Sequence, residues 1–104
     1  MLLKTFKPND IISMKLVTGE EVISKFVEVS DSGYKINKPL VLSLTSQGPA
    51  LTPFLLTADL NSDITIPKSA IIGMASTDKV TSGQYIKGTT GIEPATTSDF
   101  TKLI

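Results

Sequence analysis

Between Met14 and Leu44 the chain reads MKLVTGEEVISKFVEVSDSGYKINKPLVLSL, and this stretch restricts the fold more than any other. Its apolar runs are separated by Thr18-Gly19-Glu20-Glu21 and by Asp31-Ser32-Gly33. Gly, Asp and Ser supply the backbone conformations and local hydrogen bonds of tight turns, so the runs between them read as antiparallel strands of a meander. The second run carries more information. Val22, Ser24 and Phe26 share one phase, but the next residue in that phase is Glu28, and the apolar character moves to Val27 and Val29. A pleated strand repeats every two residues, so the slip requires a bulge or sharp bend near Val27-Glu28. A long second strand bent there lets one sheet fold over itself.

The same punctuation continues along the chain and predicts strands over 11–17, 21–30, 34–45, 51–58 and 64–74. Pro39 removes one ladder donor from the third strand and so marks an edge, a bulge or the end of a loop. Pro53 interrupts the fourth strand and Pro67-Lys68 the fifth. No segment has the length and period of an ordinary helix; residues 1–6 have room for a short helical turn that Pro8-Asn9-Asp10 stops. The expected fold is all-β, with five short antiparallel strands in a small, strongly bent barrel, which is one way to remove sheet edges. The barrel and its N-terminal segment take residues 1–74. Residues 75–104, rich in Thr, Ser and Gly, form an extension that leans on the barrel or on a neighbouring subunit. Met14, Leu16, Val22, Phe26, Val29, Ile36, Leu40, Leu42, Phe54, Leu56, Ile66 and Ile71 are the expected core.

Composition narrows the chemistry. A chain of 104 residues supports one domain. Its formal net charge is +0, its basic residues are all Lys, and it contains no Cys, His or Trp. Without His or Cys, the commonest general base, the thiol nucleophile and the best transition-metal ligands are missing, so a non-enzymatic protein without catalytic residues or cofactor is expected. Asp59, Asn61 and Asp63 alternate like the start of a calcium loop, but the glycine and distal glutamate of that loop are absent, so they read as a polar turn and no metal site is expected. Glu20-Glu21 reads as a hairpin tip. No apolar stretch approaches the roughly 20 residues that span a bilayer, and no membrane partner is expected.

The pattern Met14-x-Leu16-x-x-Gly19-x-x-Val22-x-Ser24-x-Phe26-x-x-Val29 resembles the first signature of the Sm-like proteins, with Ser24 where that family usually has glycine and Asp31 displaced by one position. Ile36-Asn37 followed by Leu40-Val41-Leu42 resembles the family's next element, with Lys38-Pro39 inserted. The frame Ile66-Pro67-Lys68-Ser69-Ala70-Ile71 with Met74 resembles the second signature, but Pro67-Lys68 replaces its Arg-Gly. The resemblance covers residues 11–74 and is nearest in character to the divergent Sm-like proteins encoded by tailed phages, including those of cyanobacteria.

This resemblance implies a five-stranded Sm-like barrel that pairs strand four of one subunit with strand five of the next, closing a homo-oligomeric ring of about five to seven subunits. It implies single-stranded RNA, or DNA, as ligand and the cytoplasm of a bacterial host as location. Carried over position by position, it implies Tyr34 as a stacking platform, Asn37 as a reader of base edges, Lys68 near the lost arginine, and Lys35 and Lys38 within reach of phosphate. Two departures count against that site. Lysine cannot reproduce the two-pronged fork of arginine, and a neutral chain attracts a polyanion weakly at long range. The alternative implied by the same ring is a structural adaptor that binds protein, in phage assembly or host takeover.

Overall fold

The computed structural model describes residues 5–90, and these build an all-β sheet with one helix packed on it. Six strands run as β1 (Ile11–Leu16), β2 (Glu21–Ser30), β3 (Gly33–Thr45), β4 (Gly48–Pro53), β5 (Asp63–Ile66) and β6 (Ile71–Ser76). A single 3-10 turn, Lys68–Ala70, separates β5 from β6, and the helix α1 spans Lys79–Thr90. The strands are antiparallel in the order β4-β3-β2-β1-β6, while β5 pairs with β3. Strands β4 and β6 terminate this order without pairing to each other, so hydrogen bonds do not close the sheet into the expected barrel.

The count of six rather than five strands has a local cause. Pro67 lacks an N–H and adopts φ −58°, ψ 144° before the 3-10 turn, so the expected fifth strand breaks into β5 and β6. The expected fourth strand shifts toward the N-terminus and ends at Pro53, leaving 54–58 in turns. β6 continues through Ala75 and Ser76, past the expected end of the fifth strand at Met74, and the Thr-rich stretch that follows is helical from Lys79. Residues 1–4, which hold most of the expected N-terminal turn, and 91–104 of the extension lie outside the described residues.

Two bulges bend the β2–β3 ribbon. Phe26 pairs with Ile36 and Glu28 with Lys35, so Val27 has no opposite number, at the slip foreseen from the apolar phase. Ile23 pairs with Leu40 and Lys25 with Asn37, so Ser24 faces the two residues Lys38 and Pro39. Lys38 adopts φ 52° there. Pro39 needs no ladder partner at this bulge, which is how a proline sits in a strand with neighbours on both sides.

The strand period distributes the core over two faces. On the first, Ile12, Met14, Leu16, Val22, Phe26, Ile36 and Ile66 form one buried cluster, and Phe6 closes one side with its ring 5.9 Å from that of Phe26. On the second, Ile11, Ile23, Leu40 and Leu51 are buried together with Tyr85 of α1. Seven of the twelve expected core residues are buried: Met14, Leu16, Val22, Phe26, Ile36, Leu40 and Ile66. Leu42, Phe54 and Ile71 are half-buried. Val29 (49% exposed) lies near the hairpin tip beyond the bulge, and Leu56 (83% exposed) lies past the end of β4.

Candidate nucleic-acid interface

Period-two geometry separates the candidate residues before any ligand is considered. Tyr34 and Ile36 point to one side of β3, Lys35 and Asn37 to the other. Tyr34 packs on the first-face cluster, its ring 6.3 Å from that of Phe26 and tilted by 58°. It is half-buried, so part of its surface remains open. Tyr34 and Asn37 therefore do not share a face, although the resemblance groups them. An odd separation within one strand already carries that signal.

Asn37 is held by the protein itself. Its Nδ2 donates to the carbonyl of Asn61 and to Oδ1 of Asp63, both at 2.8 Å. Asp63 is also its register partner in β5. Both Nδ2 protons thus tie the end of the 54–62 loop to β3, and reading a base edge with them requires breaking these contacts. The Asp59 carboxylate accepts from the Asn61 backbone N–H (2.9 Å), so the D-x-N-x-D segment organises a turn. Among the described residues, no cluster of three or more acidic, His or Cys side chains can hold a metal ion.

Lys35 pairs with Glu28 across the strands at 3.3 Å, both side chains well exposed. Lys25, Asn37 and Asp63 line up in the next row. The second face near this end therefore alternates Lys25 and Lys35 with Asp63 and Glu28, and their fields largely cancel. Lys38 turns toward the helix: its Nζ donates to the Thr89 carbonyl near the end of α1 at 3.3 Å. Lys68 is exposed in the 3-10 turn; its carbonyl accepts from the Ile71 N–H, and its ammonium makes no hydrogen bond or ion pair among the described residues. Because Tyr34 pairs with Ile66, the backbone brings Lys68 within two residues of the tyrosine's partner. Gly33 makes that approach possible. It sits at φ 135°, and a Cβ there would lie 2.2 Å from the Ile66 carbonyl oxygen.

Tyr85 is the residue that sequence reasoning missed. It is fully buried, and its hydroxyl donates to the carbonyls of Lys38 and Asn37, the second at 3.4 Å. Burial pushes its phenol well above the ordinary range, so it stays a neutral donor. The available signal was its position as the only aromatic between Ala75 and Thr90. Ser24 is the other unforeseen element: fully buried, with its Oγ unpartnered among first-face side chains.

Three concave features are lined by described residues. A trough of about 220 Å³ follows β1 and β6 beside Met14, Glu21 and Met74. A groove of about 160 Å³ lies under the start of α1. The gap between Pro39, Pro53 and Leu60 holds only about 10 Å³. None gathers the convergent charged groups of a catalytic site. No known family profile matches the chain, and no characterised protein matches it either.

Proposed function

We propose that the chain is a non-catalytic Sm-like module that assembles head to tail with copies of itself into a closed ring. The observation that carries this reading is the pair of free edges on β4 and β6, at opposite ends of the strand order. Among the described residues each edge leaves backbone groups unpaired, and a rotation that pairs the two edges and closes removes both. Exposed aliphatic side chains accompany both. Leu44 (84%), Leu55 (43%) and Leu56 (83%) lie beside β4, and Ile72 (67%) lies on β6.

The β4 edge has a particular chemistry. Pro49 and Pro53 cannot donate to β3, so they occupy the positions of the ladder whose amide side faces outward. Of the outward positions 49, 51 and 53, only Leu51 brings an N–H. The contact is therefore a short ladder centred on Leu51, supplemented by aliphatic side chains. Sedimentation velocity at micromolar concentration is expected to show an oligomer of about five to seven subunits that Ile72→Lys dissociates. A stable monomer of the parent chain overturns the reading.

The ring's ligand separates two versions. With Asn37 and Lys38 engaged inside the fold, an adaptor that binds protein needs no further rearrangement of the loop. The pairing of Tyr34 with Ile66, which brings Lys68 alongside, favours single-stranded nucleic acid, RNA before DNA, as the second version. Stacking on tyrosine contributes roughly 1–3 kcal/mol per base. Oligouridine anisotropy over a salt series tests it: Lys68→Ala weakens binding and flattens the salt slope if the site is real. Absence of binding at low salt leaves the adaptor.

A further inference from the structure

We propose that α1 is a detachable cover, which opens while the sheet stays folded and uncovers an apolar strip on its second face. The helix sequence is KVTSGQYIKGTT. Gly83 and Gly88 lie in its interior, and Val80, Thr81, Ile86 and Thr89 lose rotamer freedom against the preceding turn, so its intrinsic preference for helix is low. Packing does not demand the first of these glycines, because a Cβ built on Gly83 meets nothing within 4 Å. The helix is weak by composition, not by constraint.

Its burial is concentrated at one place. Tyr85 is the one side chain of α1 buried outright among those described. The hydroxyl of Tyr85 and the ammonium of Lys38 both join α1 to the Asn37–Lys38 bulge. At the other end, the fit is incomplete. A groove of about 160 Å³ lies between Ile23, Leu42 and Leu51 of the sheet and Asp78 and Thr81 at the helix start, while Thr77, just before the helix, is tied to β1 by the Ile11 carbonyl (3.1 Å) and the Ser13 hydroxyl (2.7 Å). A helix with low propensity, a single buried anchor and an unfilled first turn opens at lower free energy than the strands beneath it. Opening exposes Ile11, Ile23, Leu40 and Leu51 as a continuous row, since Ile11 and Ile23 lie on adjacent strands and Ile23 pairs with Leu40.

Hydrogen exchange read by mass spectrometry on the full chain tests this. Amides of 83–90 are expected to exchange roughly 100-fold faster than those of β2 and β3. Gly83→Ala is expected to slow the helix amides about five-fold and leave the strands unchanged. Tyr85→Ala is expected to bring the helix amides to the rate of an unstructured chain, again without change in β1–β3. Helix and strand amides that exchange at one rate in the parent chain overturn the proposal. So does a Gly83→Ala chain that slows both equally, or a Tyr85→Ala chain whose strands lose protection along with the helix.

Discussion

The two faces of the sheet are built on different principles. The first is closed by the strands themselves: side chains from β1, β2, β3 and β5 meet one another, and Phe6, Tyr34 and Met74 extend the contact. The second gathers a shorter row of aliphatic residues and relies on one tyrosine of one helix to cover it. Redundant packing spreads the cost of any change over many neighbours. A cover with one buried side chain makes that residue matter individually.

Substitutions on either side sharpen that contrast. The largest effect is expected from Phe26→Ala, which removes the ring joining Phe6, Tyr34 and the first-face cluster and should cost about 3–5 kcal/mol in urea unfolding, with sheet and helix lost together. Gly33→Ala comes next. A methyl at that positive φ, pressed against the Ile66 carbonyl, should cost on the order of 1–3 kcal/mol and loosen β5 from the first face. On the second face, Tyr85→Phe keeps the ring but leaves the Asn37 and Lys38 carbonyls without their donor. A loss of about 0.5–1.5 kcal/mol is expected, read in helix protection before strand protection.

Ser24→Ala tests the first face in the opposite direction. Its hydroxyl is buried without a partner, so its removal should raise stability by about 1 kcal/mol in the same urea titration. The smallest effect concerns acid. The Thr81 N–H and then the Thr81 hydroxyl, each 2.8 Å from the Asp78 carboxylate, hold its pKa below the ordinary 3.8. A lowered folded pKa means that this contribution is present above the unfolded value and lost as pH falls through the folded one. Helix circular dichroism should therefore weaken below about pH 4 before the strand signals do. Glu20, lowered by the Thr18 hydroxyl, titrates nearby but sits in the β1–β2 turn and reports on the sheet.

The sequence made the meander legible because its information is local. Turn residues at 18–21 and 31–33 and the slipped phase at Val27 each act within a few positions, and the observed pairing places a bulge at that slip. The helix was not legible in the same way. Its residues disfavour helix, and what holds it is the pairing of Tyr85 with a bulge 47 residues earlier. The engagement of Asn37 was hidden for a similar reason, since its partners lie 24 and 26 residues away. Ile11 and Ile23 fell outside the expected core because alternation assumes a single buried face. Here both faces are covered along the middle of β2, where Val22, Ile23 and Ser24 are buried in succession.

Strands β4 and β5 lie end to end along the same edge of β3, paired to Leu40–Thr45 and Tyr34–Asn37. The excursion between them leaves one strand edge and returns to it. Its length can therefore change without altering which strands are neighbours or which residues pair. Because Asn37 clamps the returning end at Asn61 and Asp63, and Asp59 accepts from the Asn61 and Ser62 N–H groups, the tolerant part is residues 57–58. That span is where lineages could lengthen or trim the molecule, and where a peptide tag could be grafted, with the least disturbance to the sheet.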